Sequence, residues 1–187
     1  MEGQAVPNVT FKTRVRRPEL DEEGNEIPGQ ENPYVWEDVT TSDIFSNKLV
    51  VIFSLPGAFT PTCDTYQLPE YELHAQNFRN EGVDDIYCVS VNDSFVMNAW
   101  AKSKGCERVK MIPDGSGLFT EGMGMLVAKD NLGFGKRSWR YAAVINNGVV
   151  QKMFIEPGKQ DNAENDPFSV TSAAEVFKYL RDYNAVE

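Results

Sequence analysis

Among its 187 residues this chain has one histidine and three cysteines, and each shortage removes a class of chemistry. The histidine, His74, stands about three helical turns beyond Cys63, at roughly 1.5 Å of rise per residue, so no Cys–His catalytic pair is expected. It reads instead as a surface or half-buried residue. A zinc site fails for want of any ligand pair at metal spacing. No two cysteines form C-x-x-C, which speaks against a disulfide oxidoreductase. Their irregular spacing fits free thiols in a reducing compartment, not a disulfide framework. No apolar run approaches membrane-spanning length. The amino end, MEGQAVPNVT, has neither the basic nor the apolar region of a secretory signal, and the expected location is the cytoplasm. Lysine and arginine are outnumbered 18 to 28 by acids, and the resulting charge of −10 argues against a nucleic-acid surface. Gly122, Gly124, Gly133 and Gly135 lack the strand-to-helix context of a phosphate loop. No repeat, low-complexity tract or linker divides the chain, so one domain over 1–187 is expected.

What is present centres on residues 49–63, LVVIFSLPGAFTPTC. The run Leu49-Val50-Val51-Ile52-Phe53 predicts a central strand buried on both faces. Pro56 and Gly57 end it, because proline fixes φ and glycine tolerates turn geometry. Pro61 suits a first helical turn, and Thr60 is placed as an N-cap whose oxygen can accept from first-turn amides. Cys63 then falls in the first turn of a helix over 62–81, where unpaired amides and the helix dipole favour a thiolate. The competing reading is a buried structural cysteine. Packing, however, gives no reason for Pro, Gly, Thr and Pro to converge on the start of one helix with a cysteine.

Around this stretch, residues 9–15 alternate as a half-buried strand and 34–39 return as its partner in an amino-terminal hairpin. The polar, acidic segment 18–33 between them reads as a solvated surface excursion. Residues 41–45 predict a capped helical turn. In the helix after Cys63, Pro69 is expected to kink or divide the path, with Leu68, Leu73 and Phe78 as the buried stripe. Residues 86–91 form the next strand, and a helix follows, capped at Asn92-Asp93-Ser94. That βαβ order makes the two strands parallel and adjacent. A short strand at 109–112 and a helical turn at 119–125 come next. A hairpin over 140–145 and 149–155 turns at Asn146-Asn147-Gly148, and a last helix points Val176, Phe177 and Leu180 inward. The whole is an α/β thioredoxin fold with a central mixed sheet flanked by helices and an amino-terminal β-hairpin.

The string Pro56-Gly57-Ala58-Phe59-Thr60-Pro61-Thr62-Cys63 resembles the active-site loop of the peroxiredoxins, in the form found in the type-five, or plant type-II, branch. The segments at 89–102, 111–127 and 132–150 are also similar to that branch, in order and at matching spacing. The resemblance implies that Cys63 attacks hydrogen peroxide and small organic hydroperoxides without metal, haem or flavin. It implies that Thr60 directs its hydroxyl at the sulfur, that Pro56 shields the loop from water, and that Arg140 pairs with the thiolate. On charge alone Lys136, Arg137 and Arg140 are indistinguishable; the resemblance selects Arg140.

Two departures from the family pattern stand out. Many members have a histidine four positions after the reactive cysteine, where this chain has Gln67. Mammalian members carry a resolving cysteine late in the chain, whereas 156–172 here offers only Ala163 and polar neighbours. Cys88 matches the second cysteine of plant type-II members, but mid-strand it reads equally well as a small core residue. Cys106 is a bystander. Bacterial relatives used with glutathione and glutaredoxin, some with a fused glutaredoxin domain, imply a separate glutaredoxin as reductant, with thioredoxin as the alternative. A homodimer is also implied. Two rival functions stay open: a thioredoxin-fold redox sensor that oxidises once and waits, and a two-cysteine, thioredoxin-dependent peroxidase using Cys88.

Overall fold

The residue pattern at 49–54 dictates the middle of the molecule. In the computed structural model, which describes residues 1–186, Leu49–Ser54 forms β3, and its residues from Val50 to Ser54 are all buried. Val51 and Phe53 face one apolar cluster and Val50 and Ile52 the other, as period-two alternation requires. The five-stranded sheet runs β5-β4-β3-β8-β9, with β4 at Asp85–Ser90, β5 at Val109–Pro113, β8 at Tyr141–Asn146 and β9 at Val149–Ile155. β3 pairs parallel with β4 and antiparallel with β8, so the sheet is mixed and β3 is central. The β8–β9 turn puts Asn147 and Gly148 at positive φ, the geometry its Asn-Gly sequence favours. At the amino end β1 (Thr10–Arg16) and β2 (Tyr34–Thr40) make a separate antiparallel hairpin around the exposed acidic loop.

Helices cover both faces. α1 (Thr41–Phe45) carries a capping box, though the cap is Thr40 with Asp43. α4 (Ser94–Ser103) is capped by Asp93, and the β1 backbone docks on it through Arg14 N to Ser94 Oγ and Asn98 Nδ2 to Arg14 O, 2.8 and 2.9 Å. α5 is Leu118–Gly122, and α6 (Ala173–Ala185) buries Val176 and Leu180 while Phe177 is only partly covered.

The helix expected over 62–81 differs in form. It starts at Pro61 and Thr62, widens into a π turn, Cys63–Gln67, continues as α2 (Leu68–Leu73) and resumes after His74 as α3 (Ala75–Asn80). The Leu68 amide reaches back five residues to the Cys63 carbonyl, and Pro69, next along, has no amide to donate. The ladder widens there instead of breaking. Leu73, expected inside, is 77% exposed, because Leu68, Tyr71, Ala75 and Phe78 take the inward positions at three- and four-residue spacing. His74 is half-buried and bonds Asn77. A small hairpin of β6 (Leu126–Ala128) and β7 (Lys136–Ser138), with no alternation long enough to be read in sequence, leads into β8.

Candidate active site

The π turn starts at the carboxyl end of β3, so the fold holds Cys63 where strand, turn and helix meet. Its side chain is completely buried. Thr60 Oγ1 lies 2.9 Å from Cys63 Sγ and 2.7 Å from the Gly57 carbonyl. One hydroxyl proton cannot serve both. With a thiol, S–H donates to Thr60 and Thr60 donates to the carbonyl; with a thiolate, the hydroxyl turns to sulfur. This corrects the N-cap expectation: the Thr60 hydroxyl serves sulfur and a carbonyl, and no side-chain cap bonds the first turn. Phe59, just before it, sits at φ 63°, which a non-glycine residue adopts only at a cost of about 1–3 kcal/mol, and its ring leans on Trp100.

Arg140, immediately before β8, is 1% exposed. Its Nη1 donates to Cys63 Sγ at 3.3 Å and to Gln67 Oε1, and its Nη2 pairs with Asp166 at 2.7 Å. Burial opposes the guanidinium charge, but Cys63 and Asp166 together outweigh it and hold the arginine pKa above its ordinary value. Gln67 occupies the position of the family histidine and spends its oxygen on Arg140. Gln67 Nε2 and Arg140 Nε are buried donors without a protein partner.

Sequence reasoning missed what holds Arg140. Glu156 is buried at the end of β9, and its carboxylate accepts from the amides of Ser169 and Val170 and the hydroxyl of Thr171 at 2.8, 3.1 and 3.1 Å. Its own amide donates to the Arg140 carbonyl at 3.2 Å, and Tyr71 OH bonds the Thr171 carbonyl at 2.8 Å. The segment so pinned carries Asp166 to the guanidinium and lays Phe168 against it. A lone acid in a polar loop gives no sequence signal of this.

Arg137, on charge alone one of three equivalent cations, also lines the turn. Its Nη1 donates to the Pro56 carbonyl at 3.0 Å, and its guanidinium covers the Phe134 ring. Burial lowers its pKa, with the Cys63 charge opposing. Pro56 itself is buried beneath the turn. Cys88 lies in the middle of β4, in register with Phe53 and Met111, and burial pushes its thiol well up. Cys106 is partly exposed, its thiol raised to about 11 by burial and by Glu72. All three cysteines are free. Among the described residues no three His, Cys, Asp or Glu side chains gather as a metal-ligand cluster, and no helix is long and apolar enough to cross a membrane.

A mixed-sheet thioredoxin-like fold presenting a hidden cysteine at a helix start, with a hydroxyl and a guanidinium on the sulfur, defines the class. Residues 1–171 match the Redoxin family. A peroxiredoxin of Rhizobium etli is 60% identical over 97% of this chain and 96% of its own. The solved 1-Cys peroxiredoxin (antioxidant protein) of Plasmodium falciparum superposes with a TM-score of 0.85 at 36% identity, covering 97% of this chain and 99% of its own. Reduced Prx3 of Vibrio vulnificus, solved with hydrogen peroxide, gives 0.80 at 33% identity, covering 98% of both chains. The chain belongs to the peroxiredoxin family, and it is a thiol-dependent peroxidase.

Proposed function

We propose that Cys63 is the peroxidatic nucleophile and that an external thiol regenerates it. The observation that carries this reading is the pair of donors on one buried sulfur, Thr60 at 2.9 Å and Arg140 at 3.3 Å. The thiolate attacks one peroxide oxygen; an S–O bond forms as the O–O bond breaks, and the departing hydroxide or alkoxide leaves as water or alcohol after taking a proton. Sulfur becomes a sulfenic acid, so the cysteine carries the whole redox change and no metal, haem or flavin is required. Arg140 steadies the charge that moves from sulfur to the departing oxygen, Thr60 orients the peroxide, and Pro56 keeps water out. Gln67, held to the same Arg140 Nη1 that reaches the sulfur, keeps its Nε2 without a protein partner. A fully buried sulfur favours hydrogen peroxide and small organic hydroperoxides over bulky ones.

Glutathione with glutaredoxin is the proposed reductant, and thioredoxin the alternative. Cys88 supports that choice by its character: a mid-strand thiol with a raised pKa is a poor partner for the sulfenic acid. The working compartment is the cytoplasm, where three free thiols persist, and the working form is a homodimer. Trp36, Phe95 and Leu118, all exposed along one groove, offer apolar surface for a second copy. One equivalent of peroxide followed by glutathione should give a mixed disulfide at Cys63 by mass spectrometry, and turnover should continue with glutathione and glutaredoxin. A Cys63–Cys88 bond forming faster than glutathione adds would overturn the external-thiol reading, and a single oxidation without cycling would favour the sensor.

A further inference from the structure

Arg140 and Arg137 both feel the Cys63 charge, but only Arg140 has an acid of its own. Among the described residues no carboxylate comes within ion-pairing distance of Arg137, although the chain has 28 acidic residues. Its Nη1 is committed to the Pro56 carbonyl and its Nε to the Phe134 carbonyl at 3.4 Å, while Nη2 makes no protein hydrogen bond. Gly57 permits this approach, since a Cβ there would collide with Nη1. A half-buried guanidinium held in place by carbonyls, with one edge unspent, is complementary to an anion. Its planar fork suits a carboxylate in particular.

We infer that Arg137 is a binding site for the glycine carboxylate of glutathione, the small thiol that reduces the Cys63 sulfenic acid; the other carboxylate stands beside its own ammonium. The inference rests on the external-thiol reading above. Glutathione carries two carboxylates and is a net anion, and it must approach a chain of charge −10. A fixed cation beside the turn offsets that repulsion locally. Arg137 belongs to β7, not to the π turn that carries Cys63, so its backbone is set by the β6–β7 hairpin and not by the helix. In the step served, the thiol sulfur bonds to Cys63 Sγ, the S–O bond breaks, and the hydroxyl leaves as water with the thiol proton. The sulfenic acid is reduced and the thiol is oxidised to the mixed disulfide.

The experiment oxidises the enzyme with one equivalent of hydrogen peroxide and then mixes it rapidly with glutathione, its glycine ethyl ester or 2-mercaptoethanol. Mixed-disulfide formation is followed by quenched intact-mass analysis. Arg137→Gln should slow glutathione about tenfold more than it slows 2-mercaptoethanol, the size of one charge-assisted hydrogen bond, with the peroxide step measured alongside so that any loss through the Pro56 contact is divided out. The wild type should prefer glutathione to its ester; Arg137→Gln should erase that preference, and Arg137→Lys should keep part of it. Equal slowing of all three thiols, or no wild-type preference against the ester, overturns this site while leaving external-thiol reduction standing. No mixed disulfide with any thiol in the wild type overturns both.

Discussion

Cys63 and Cys88 are equally hidden, each fully buried and in the same apolar cluster, yet their surroundings are opposite. Cys63 stands at the end of β3 with a hydroxyl and a guanidinium on its sulfur. Cys88 stands in the middle of the neighbouring strand with no hydrogen-bond partner among the described residues, and burial raises its pKa. Partly exposed Cys106 is also raised, to about 11. Exposure therefore does not rank these thiols. Position on the sheet does, because only the strand end opens onto a turn where donors converge.

The largest test of that contrast exchanges each sulfur for oxygen. Cys63→Ser should abolish peroxide turnover, a loss on the order of 10³-fold or more, while Cys88→Ser keeps near-wild-type turnover with glutathione and glutaredoxin. A coupled NADPH assay measures both. If Cys88→Ser is the inactive one, the contrast is inverted.

Removing the donor and keeping the sulfur comes next. Arg140→Ala should slow single-turnover oxidation by roughly 10²–10³-fold, as loss of one preorganised donor to a developing anion does. It also strands Asp166 and the Gln67 oxygen, so its urea midpoint should fall as well. Stopped-flow tryptophan fluorescence reads the rate, and a loss smaller than that of Arg137→Gln would mean the wrong arginine touches the sulfur.

Much of the Cys63 region was legible because local rules set it. An apolar β-branched run, a Pro-Gly stop and a proline at a helix start each have one structural meaning, and together they located β3, the turn and Cys63. Arg140 was legible only through resemblance, since charge gave three equal candidates. The π turn was not legible: Pro69 announced a disturbance, but whether the ladder breaks or widens depends on packing beneath Tyr71 and Leu68. Glu156 and Asp166 were invisible because long-range contacts, 26 residues apart for Asp166 and Arg140, give a polar loop its purpose. The β6–β7 hairpin was missed because strands of three residues carry no period.

Gln67 sharpens the comparison from the side of charge. Its neutral amide accepts from Arg140 at any pH. Gln67→His should keep activity in alkaline buffer, where neutral imidazole can accept the same bond. Burial and the guanidinium would hold that imidazole below its usual value near 6.5, so activity should drop several-fold only as pH falls well beneath that value. A pH–rate series on the two proteins checks this, and parallel profiles would mean that residue 67 does not govern Arg140.

The smallest effect concerns the residue after Cys63, which has no counterpart around Cys88. Asp64 accepts from Trp100 Nε1 at 2.8 Å and pairs with Lys104 at 2.6 Å, fastening the π turn to α4. The Lys104 bond, helped by Trp100 and opposed by burial, holds the Asp64 carboxyl below its ordinary value. Because the folded carboxyl binds its proton less readily than the unfolded one, the contact stabilises fully above about pH 4 and fades as pH falls through the depressed folded value. Asp64→Asn should thus cost about 1 kcal/mol at pH 7, and less toward pH 3, in urea titrations. Hydrogen exchange should rise in the amides of the π turn and stay unchanged in β4. If β4 exchanges faster too, Asp64 supports the whole sheet and not the Cys63 turn alone.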